Sequence, residues 1–179
     1  MGKYIRNGIA YLRGLLLIMF SKVNKNRTVE TNVRVFASSA LDFDKGAIVR
    51  IGKGSKIRER AVISVRKNGT LVIGNKASIG MDCKITVHEN VTIGEGTLLS
   101  PNVLIYDHDH VFDKEKGVHR KEFITKPVVI GKNCWIGSNS VIIKGTVIGD
   151  NCVIGAGCIV NGNIASGSVL IQKRTNTIK

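Results

Sequence analysis

The chain of 179 residues is long enough for one domain with a hydrophobic core. Aromatic residues make up only 5% of it and glycines number 20, which argues against a layered helical or sandwich core and favours short strands joined by tight turns. The formal net charge of +14 favours anionic partners such as phosphate-bearing ligands or acidic lipids, but we expect no nucleic-acid binding, because no known nucleic-acid-binding module is recognisable.

The N-terminal segment, residues 1–28, carries six lysines and arginines around the apolar run 15–20. That run is too short to span a bilayer, which needs about 20 apolar residues. The polar and basic sequence 21–25 offers no small-residue cleavage site, so a secretory signal peptide is disfavoured. We predict a basic amphipathic helix that either lies on the anionic inner face of the cytoplasmic membrane or caps the core with its apolar side.

A six-residue repeat dominates the sequence beyond residue 50. From Ile130 to Ile154 an isoleucine stands at every sixth position, and each is followed four residues later by a small side chain. A six-residue period fits neither a helical face nor a simple amphipathic strand. It predicts a prism-like coil of parallel strands in which each unit forms one strand and one turn, with three units, about 18 residues, in each coil.

The repeat predicts a β-helical domain over residues 29–172, followed by a basic tail, 173–179. Weak alternation in 29–50 indicates an irregular first coil. The phase also breaks near 66–69 and between Ile85 and Ile93, which we interpret as bulged corners, and over 106–127, which is too long for a corner. Long loops on rigid scaffolds often carry function.

The cysteines occupy positions of the repeat where small buried side chains are expected. Cys83, Cys134, Cys152 and Cys158 contain no C-x-x-C pair, which argues against a thioredoxin-like motif or a zinc site of that type. We predict reduced thiols and therefore a cytoplasmic protein.

The inserted loop opens with Asp107, His108, Asp109 and His110, so two of the four histidines lie together, each beside an aspartate. Transfer of an acyl group to a hydroxyl requires a base, a role that suits an imidazole with a pKa near neutrality. A neighbouring carboxylate or a backbone carbonyl can fix the ring tautomer and stabilise the imidazolium. The loop is therefore the candidate catalytic site.

Four segments carry a family resemblance. They are Lys-Pro-Val-Val-Ile-Gly at 126–131, Trp-Ile-Gly-Ser at 135–138, Gly-Thr-Val-Ile-Gly-Asp-Asn at 145–151 and Val-Ile-Gly-Ala-Gly at 153–157. Together they resemble the hexapeptide-repeat acyltransferases over about residues 51–170. The likeness is to galactoside and maltose O-acetyltransferases and, more closely, to the O-acetyltransferases of surface-polysaccharide genes. It implies an all-β, left-handed parallel β-helix, a homotrimer with active sites between subunits, acetyl-CoA as the donor, and no metal.

The resemblance also implies roles for particular residues. The catalytic histidine of the galactoside acetyltransferases stands nine residues after the proline that corresponds to Pro101, which is His110 here; His108 is the alternative, and Asp107 or Asp109 would orient the base. Contacts with the coenzyme are implied or expected for Trp135, Ser138, Ala156, Lys173 and Arg174, the last two with its phosphates. The acceptor-binding asparagine of the sugar acetyltransferases is replaced by Gly80, which disfavours a simple galactoside or maltose acceptor.

We therefore predict an acetyl-CoA-dependent O-acetyltransferase that acts on a sugar hydroxyl of a surface polysaccharide or its lipid-linked precursor. An N-acetyltransferase of amino sugar nucleotides or an antibiotic acetyltransferase is the alternative among enzymes. A metal site like that of γ-class carbonic anhydrases, or a non-catalytic hexapeptide scaffold, is the alternative of another class. The spacing of His88, His108 and His110 does not match the metal site, and the loop histidines argue against the scaffold. We expect His88 and His119 to be isolated surface or acceptor-site residues.

Overall fold

The computed structural model describes the backbone of residues 2–173 and the side chains of residues 4–173. In this part of the chain one α-helix, α1 (Gly2–Val23), precedes 22 β-strands, numbered along the chain. Twenty of them form three parallel sheets, and β13 (His108–Asp113) and β14 (Gly117–Thr125) form an antiparallel hairpin. The predicted parallel β-helix with an N-terminal helix and one inserted loop is confirmed.

The three sheets are the three faces of a prism, since consecutive strands pass from one sheet to the next in a fixed order. The first face contains β1 (Arg27–Val29), β4 (Ile48–Ile51), β7 (Thr70–Ile73), β10 (Asn90–Ile93), β15 (Val128–Ile130), β18 (Val147–Ile148) and β21 (Asn163–Ile164). The second contains β2 (Arg34–Val35), β5 (Lys56–Ile57), β8 (Ser78–Ile79), β11 (Leu98–Leu99), β16 (Trp135–Ile136), β19 (Val153–Ile154) and β22 (Val169–Leu170). The third contains β3 (Ala40–Phe43), β6 (Val62–Val65), β9 (Lys84–Val87), β12 (Leu104–Tyr106), β17 (Val141–Ile142) and β20 (Ile159–Val160).

The aliphatic residue of each repeat points into the prism and lies directly over its counterpart in the next coil. On the first face this column consists of Ile51, Ile73, Ile93, Ile130 and Ile148, which are paired in register and almost completely buried. Burial of one such side chain contributes about 1.5–3 kcal/mol relative to exposure. The columns therefore provide the main stabilisation of the coil.

The small residue of each repeat fills the corner, and where it carries a hydroxyl it donates a hydrogen bond to a backbone carbonyl there. The buried hydroxyl of Ser55 donates to the carbonyl of Gly74 in the next coil at 2.8 Å, and that of Thr97 donates to the carbonyl of Gly131 at 2.7 Å. Polar groups at these positions are tolerated inside the fold because each has a hydrogen-bond partner.

The length of the coils varies although the pairing does not. Val129 pairs with Val147, 18 residues on, which is the predicted length. Val49 pairs with Leu71, 22 residues on, because β4, β6 and β7 are longer than β15, β17 and β18, while the corners between the strands have four residues in both coils. The first coil, β1–β3, pairs in register with β4–β6, so it is regular where the sequence indicated irregularity. Helix α1 partly covers this coil, and the contact with the helix changes which residues of the coil are apolar.

Helix α1 packs against the edge of the first coil. A Cβ at position 14 would lie 1.8 Å from the carbonyl oxygen of Val33, so glycine is required for this close approach. Arg13 donates to the backbone carbonyls of Phe36 and Ser39, and Leu17 packs against the core. The helix thereby covers an open sheet edge. Of the two arrangements considered from the sequence, this is the one in which the helix caps the core. No described helix is both long and apolar enough to cross a membrane.

The burial of all four cysteines predicts low thiol reactivity. Burial raises the pKa of Cys83 to about 11 and also raises the pKa of Cys134, which lowers the thiolate fraction available for reaction. We expect a disulfide reagent to modify the native protein slowly at mildly alkaline pH, and to titrate all four thiols in concentrated guanidinium chloride. Rapid modification of the native protein would contradict the assigned burial.

Candidate active site

The hairpin leaves the prism at the corner between the third and first faces. Strand β12 ends at Tyr106, the chain departs at Asp107, and it returns at Lys126, whose backbone N–H donates to the carbonyl of Asp107 at 2.9 Å. The inserted segment is therefore an ordered pair of strands closed at its base by a hydrogen bond.

The carboxylate of Asp107 is fully buried at the base of the hairpin. It accepts hydrogen bonds from the backbone N–H groups of His88 at 2.9 Å, Glu89 at 2.7 Å and Asn90 at 2.9 Å. These three residues form the same corner one coil earlier, where the sequence repeat loses its phase. Asp107 therefore satisfies the amides of a tight corner and joins the hairpin to the coil below it.

His108 is held by the same carboxylate. Its Nδ1 lies 3.1 Å from Oδ1 of Asp107, and its side chain is 13% exposed. Its ring packs against His88 with 4.0 Å between the centroids and meets the edge of Phe123 at 5.4 Å. A proton on Nδ1 that is donated to Asp107 leaves Nε2 as the unprotonated nitrogen of the neutral ring.

His110 lies two residues further along β13 and therefore on the same side of the strand as His108. It is exposed, it pairs with Phe123 of β14, and the two rings are 4.6 Å apart. Its Nδ1 lies 3.4 Å from the backbone carbonyl of His119. A long hydrogen bond from Nδ1 to that carbonyl would leave Nε2 free to accept a proton.

Asp109 lies on the opposite side of β13 and contacts Lys144 rather than a histidine. Its carboxylate is 2.6 Å from Nζ of Lys144, which follows β17 at the same corner in the next coil. Because the Asp109 side chain is 60% exposed, this ion pair contributes little stability. Of the two predicted aspartates, only Asp107 is placed to orient an imidazole.

His88 and His119 are not isolated, contrary to the expectation from sequence. His88 packs against the rings of both His108 and Phe123, and its pKa is lowered by burial and by the neighbouring His108. His119 contacts the Glu122 carboxylate through Nδ1 at 3.2 Å. The signal that was missed for His88 is the register of the coils: Thr86 pairs with Tyr106, so positions 88 and 108 must stack.

The candidate coenzyme-binding residues lie on the second face and its following corner. Trp135 is 53% exposed, and its Nε1 donates to the hydroxyl of Ser100 at 2.8 Å. Ser138 and Ala156 are stacked in adjacent coils, where the N–H of Gly157 donates to the carbonyl of Ser138 at 2.8 Å. Lys173 is exposed at the end of the described chain, and Arg174 lies outside the described residues.

One chain does not bring the two predicted sets of residues together. The histidines emerge between the third and first faces, whereas Trp135, Ser138 and Ala156 lie on the second face and between the second and third. Among the described side chains, no group of three histidines, cysteines or carboxylates is arranged to hold a metal ion.

Comparison with known proteins supports the β-helical fold. The family model of the hexapeptide repeat of succinyl-transferase matches residues 127–161. No curated protein matches the chain. A mutant of the N-acyltransferase AntD from Bacillus cereus, in complex with dTDP and coenzyme A, has a TM-score of 0.71 at 17% identity over 90% of this chain and 87% of that chain.

Two further structures resemble the chain. One is a mutant of AntD in complex with dTDP-4-amino-4,6-dideoxyglucose and coenzyme A, with a TM-score of 0.67 at 16% identity over 90% of this chain and 87% of that chain. The other is a hexapeptide-repeat acetyltransferase from Vibrio cholerae, with a TM-score of 0.51 at 26% identity over 78% of this chain and 65% of that chain. The chain is thus a hexapeptide-repeat β-helix, and it shares its fold with acyltransferases.

Asp107 at the base of the hairpin and Asp109 in β13 give a matched test of the site. Asp107→Asn removes the negative charge that the backbone N–H groups of residues 88–90 meet and places an N–H₂ group where one carboxylate oxygen faced the N–H of His88 and Nδ1 of His108, so we expect a loss of about 2 kcal/mol or more in the free energy of unfolding. Asp109→Asn, which loses only an exposed ion pair, is expected to cost less than about 1 kcal/mol. Denaturant titration measures both, and equal losses would contradict the role given to Asp107.

Proposed function

We propose that the chain is an O-acetyltransferase that moves an acetyl group from acetyl-CoA to a sugar hydroxyl, in the synthesis of a surface polysaccharide, with a histidine of the hairpin as general base. The observation that carries this proposal is the hairpin, which holds His108 and His110 on one side of a strand outside the coil, with His108 bonded to the buried Asp107. The family match and the structural relatives support acyl transfer as the type of reaction.

The proposed reaction needs one proton to be moved twice. The imidazole Nε2 accepts the proton of the acceptor hydroxyl while the hydroxyl oxygen attacks the thioester carbonyl carbon. The tetrahedral intermediate then collapses, the C–S bond breaks, and the imidazolium returns the proton to the sulfur of coenzyme A. The products are the acetyl ester and the free thiol, so atoms and charge balance without another reactant.

His110 fits the part of the base better than His108. It is exposed, so its ring can reach an acceptor that approaches from solvent, whereas His108 is largely covered by His88 and Phe123. The carbonyl of His119 can hold the Nδ1 proton of His110. In this assignment His108 and Asp107 are positioning residues that hold the base of the hairpin in place.

The coenzyme fits the second face of a neighbouring subunit. The outward residues Leu98, Trp135, Val153 and Val169 stand in register as an apolar stripe there, which suits the long apolar arm of coenzyme A. Lys173 stands near the end of that stripe and can meet a phosphate. Within one chain this stripe and the histidines lie on different faces of the prism. We therefore propose a homotrimer in which each site is formed by two subunits.

The second candidate is N-acyl transfer to a nucleotide-linked amino sugar. It is favoured by the likeness to AntD, whose structure contains such an amino sugar together with coenzyme A. Paired acceptors that differ only in a hydroxyl or an amine at one carbon distinguish the two candidates in a thiol-release assay. The O-acetyltransferase proposal requires the hydroxyl partner of a pair to be acetylated at the higher rate.

Removal of the base is expected to abolish most of the activity. We predict that His110→Ala lowers kcat for acetyl transfer by at least about 100-fold, the usual scale for a lost general base, with little change in melting temperature. Asp109→Asn, in the neighbouring position, serves as the control and should retain most of the activity. If only His108→Ala had the large effect, the role of the base would move to His108; if neither variant did, the proposed mechanism would be wrong.

Shared sites predict recovery of activity in mixed assemblies. His110→Ala removes the base, and Ala156→Arg fills the exposed corner proposed to bind the coenzyme. If each site takes its hairpin from one subunit and its second face from another, co-expression of the two inactive variants restores about one quarter of the wild-type sites by random assembly. Mixed assemblies without activity, although each variant is folded, would contradict sites between subunits.

A further inference from the structure

Helix α1 leaves a large apolar surface uncovered. Half of the exposed large hydrophobic side chains in the described part of the chain belong to this one helix. Leu12 and Met19 are 59% and 64% exposed. With Ile5, Leu15, Leu16 and Val23, they form what we call the outer face of α1. Surface helices usually expose polar residues on the side that faces away from the core, so this face is unusual for a helix in water.

The outer face cannot be turned inward, because the opposite side of the helix is already docked. Ala10, Gly14 and Ser21 are buried against the first coil, and their spacing of four and seven residues defines the inner side. Two arginines fix this orientation: Arg13 through backbone carbonyls of the coil, and Arg6 through the Glu59 carboxylate at 3.3 Å. The coil therefore holds the helix with its apolar outer face directed away from the body.

The charges on α1 and in the segment that follows it are almost all positive. Helix α1 contains no aspartate or glutamate, and residues 1–34 contain seven lysines and arginines but only one acidic residue, Glu30. An apolar face alone would fit many partners. An apolar face on a helix whose net charge is positive fits a surface that is both apolar and anionic, which is the chemistry of a membrane with acidic lipid headgroups.

We propose that the outer face of α1 lies in the headgroup region of an anionic membrane and anchors the β-helix there. Leu12, Leu15 and Met19 enter the apolar boundary, while the lysines around the helix meet lipid phosphates. The same positive charge disfavours the rival arrangement, in which the helices of two copies pack face to face and bring like charges together. The proposal concerns a surface remote from the hairpin and does not depend on the proposed reaction.

The contact with lipid is tested by sedimentation of the full-length protein with vesicles. One set of vesicles contains phosphatidylcholine alone, and the other contains phosphatidylcholine with phosphatidylglycerol. The helix variant combines Leu12→Gln with Met19→Gln. The matched control combines Val147→Gln with Ile159→Gln, two exposed apolar residues on the sides of the coil. Melting temperatures verify that both variants are folded.

We expect wild-type protein to bind the anionic vesicles at least about 10-fold better than the neutral ones, with the difference reduced by high salt. The helix variant should lose at least about 10-fold in binding to anionic vesicles, and the control variant should bind like the wild type.

Three outcomes would overturn the proposal. They are equal binding to both kinds of vesicle, unchanged binding of the helix variant, and wild-type protein that binds no vesicles but self-associates through α1, seen as a fall in molar mass only in the helix variant. Acetyl transfer is not a readout in this experiment, so its result is independent of that proposed activity.

Discussion

The register of inward-pointing aliphatic side chains between successive coils is the constraint on which the rest of the structure depends. Ile73 lies over Ile51 and under Ile93, and similar columns line the other two faces. This contact fixes which residues of neighbouring coils are opposite each other, and so it also fixes the corners. The hairpin, the stack of His88 on His108 and the pairing of Leu98 with Trp135 all follow from that register.

Asp107 connects the fold to the candidate site. Its position at the end of a strand is set by the register, and its carboxylate satisfies three amides of the corner below while contacting His108. A single buried side chain therefore stabilises the coil and orients an imidazole of the hairpin.

Much of the fold was predictable because the six-residue period reports the alternation of strand and corner directly. The long break in that period located the inserted segment, and the adjacent histidines and aspartates at its start singled out the candidate site. The contribution of His88 was not predicted, because it requires a coil of 20 rather than 18 residues to be aligned before position 88 meets position 108. The ion pair of Lys144 with Asp109 was missed for the same reason, since the two residues lie 35 positions apart and meet only through stacking. The regular first coil was obscured because α1 changes which of its residues need to be apolar.

The tolerance of the corners has a consequence for how such a molecule can diversify. Each strand requires only that its neighbours above and below remain aligned, so a corner can gain residues without any loss of core contacts, and Ile93 indeed pairs with Ile130 although the hairpin is inserted between their strands. The hairpin between β12 and β15 is the largest such addition. New recognition loops can therefore be inserted at one corner while the core of the coil stays the same. Specificity can then change in evolution without a change in the residues that provide stability.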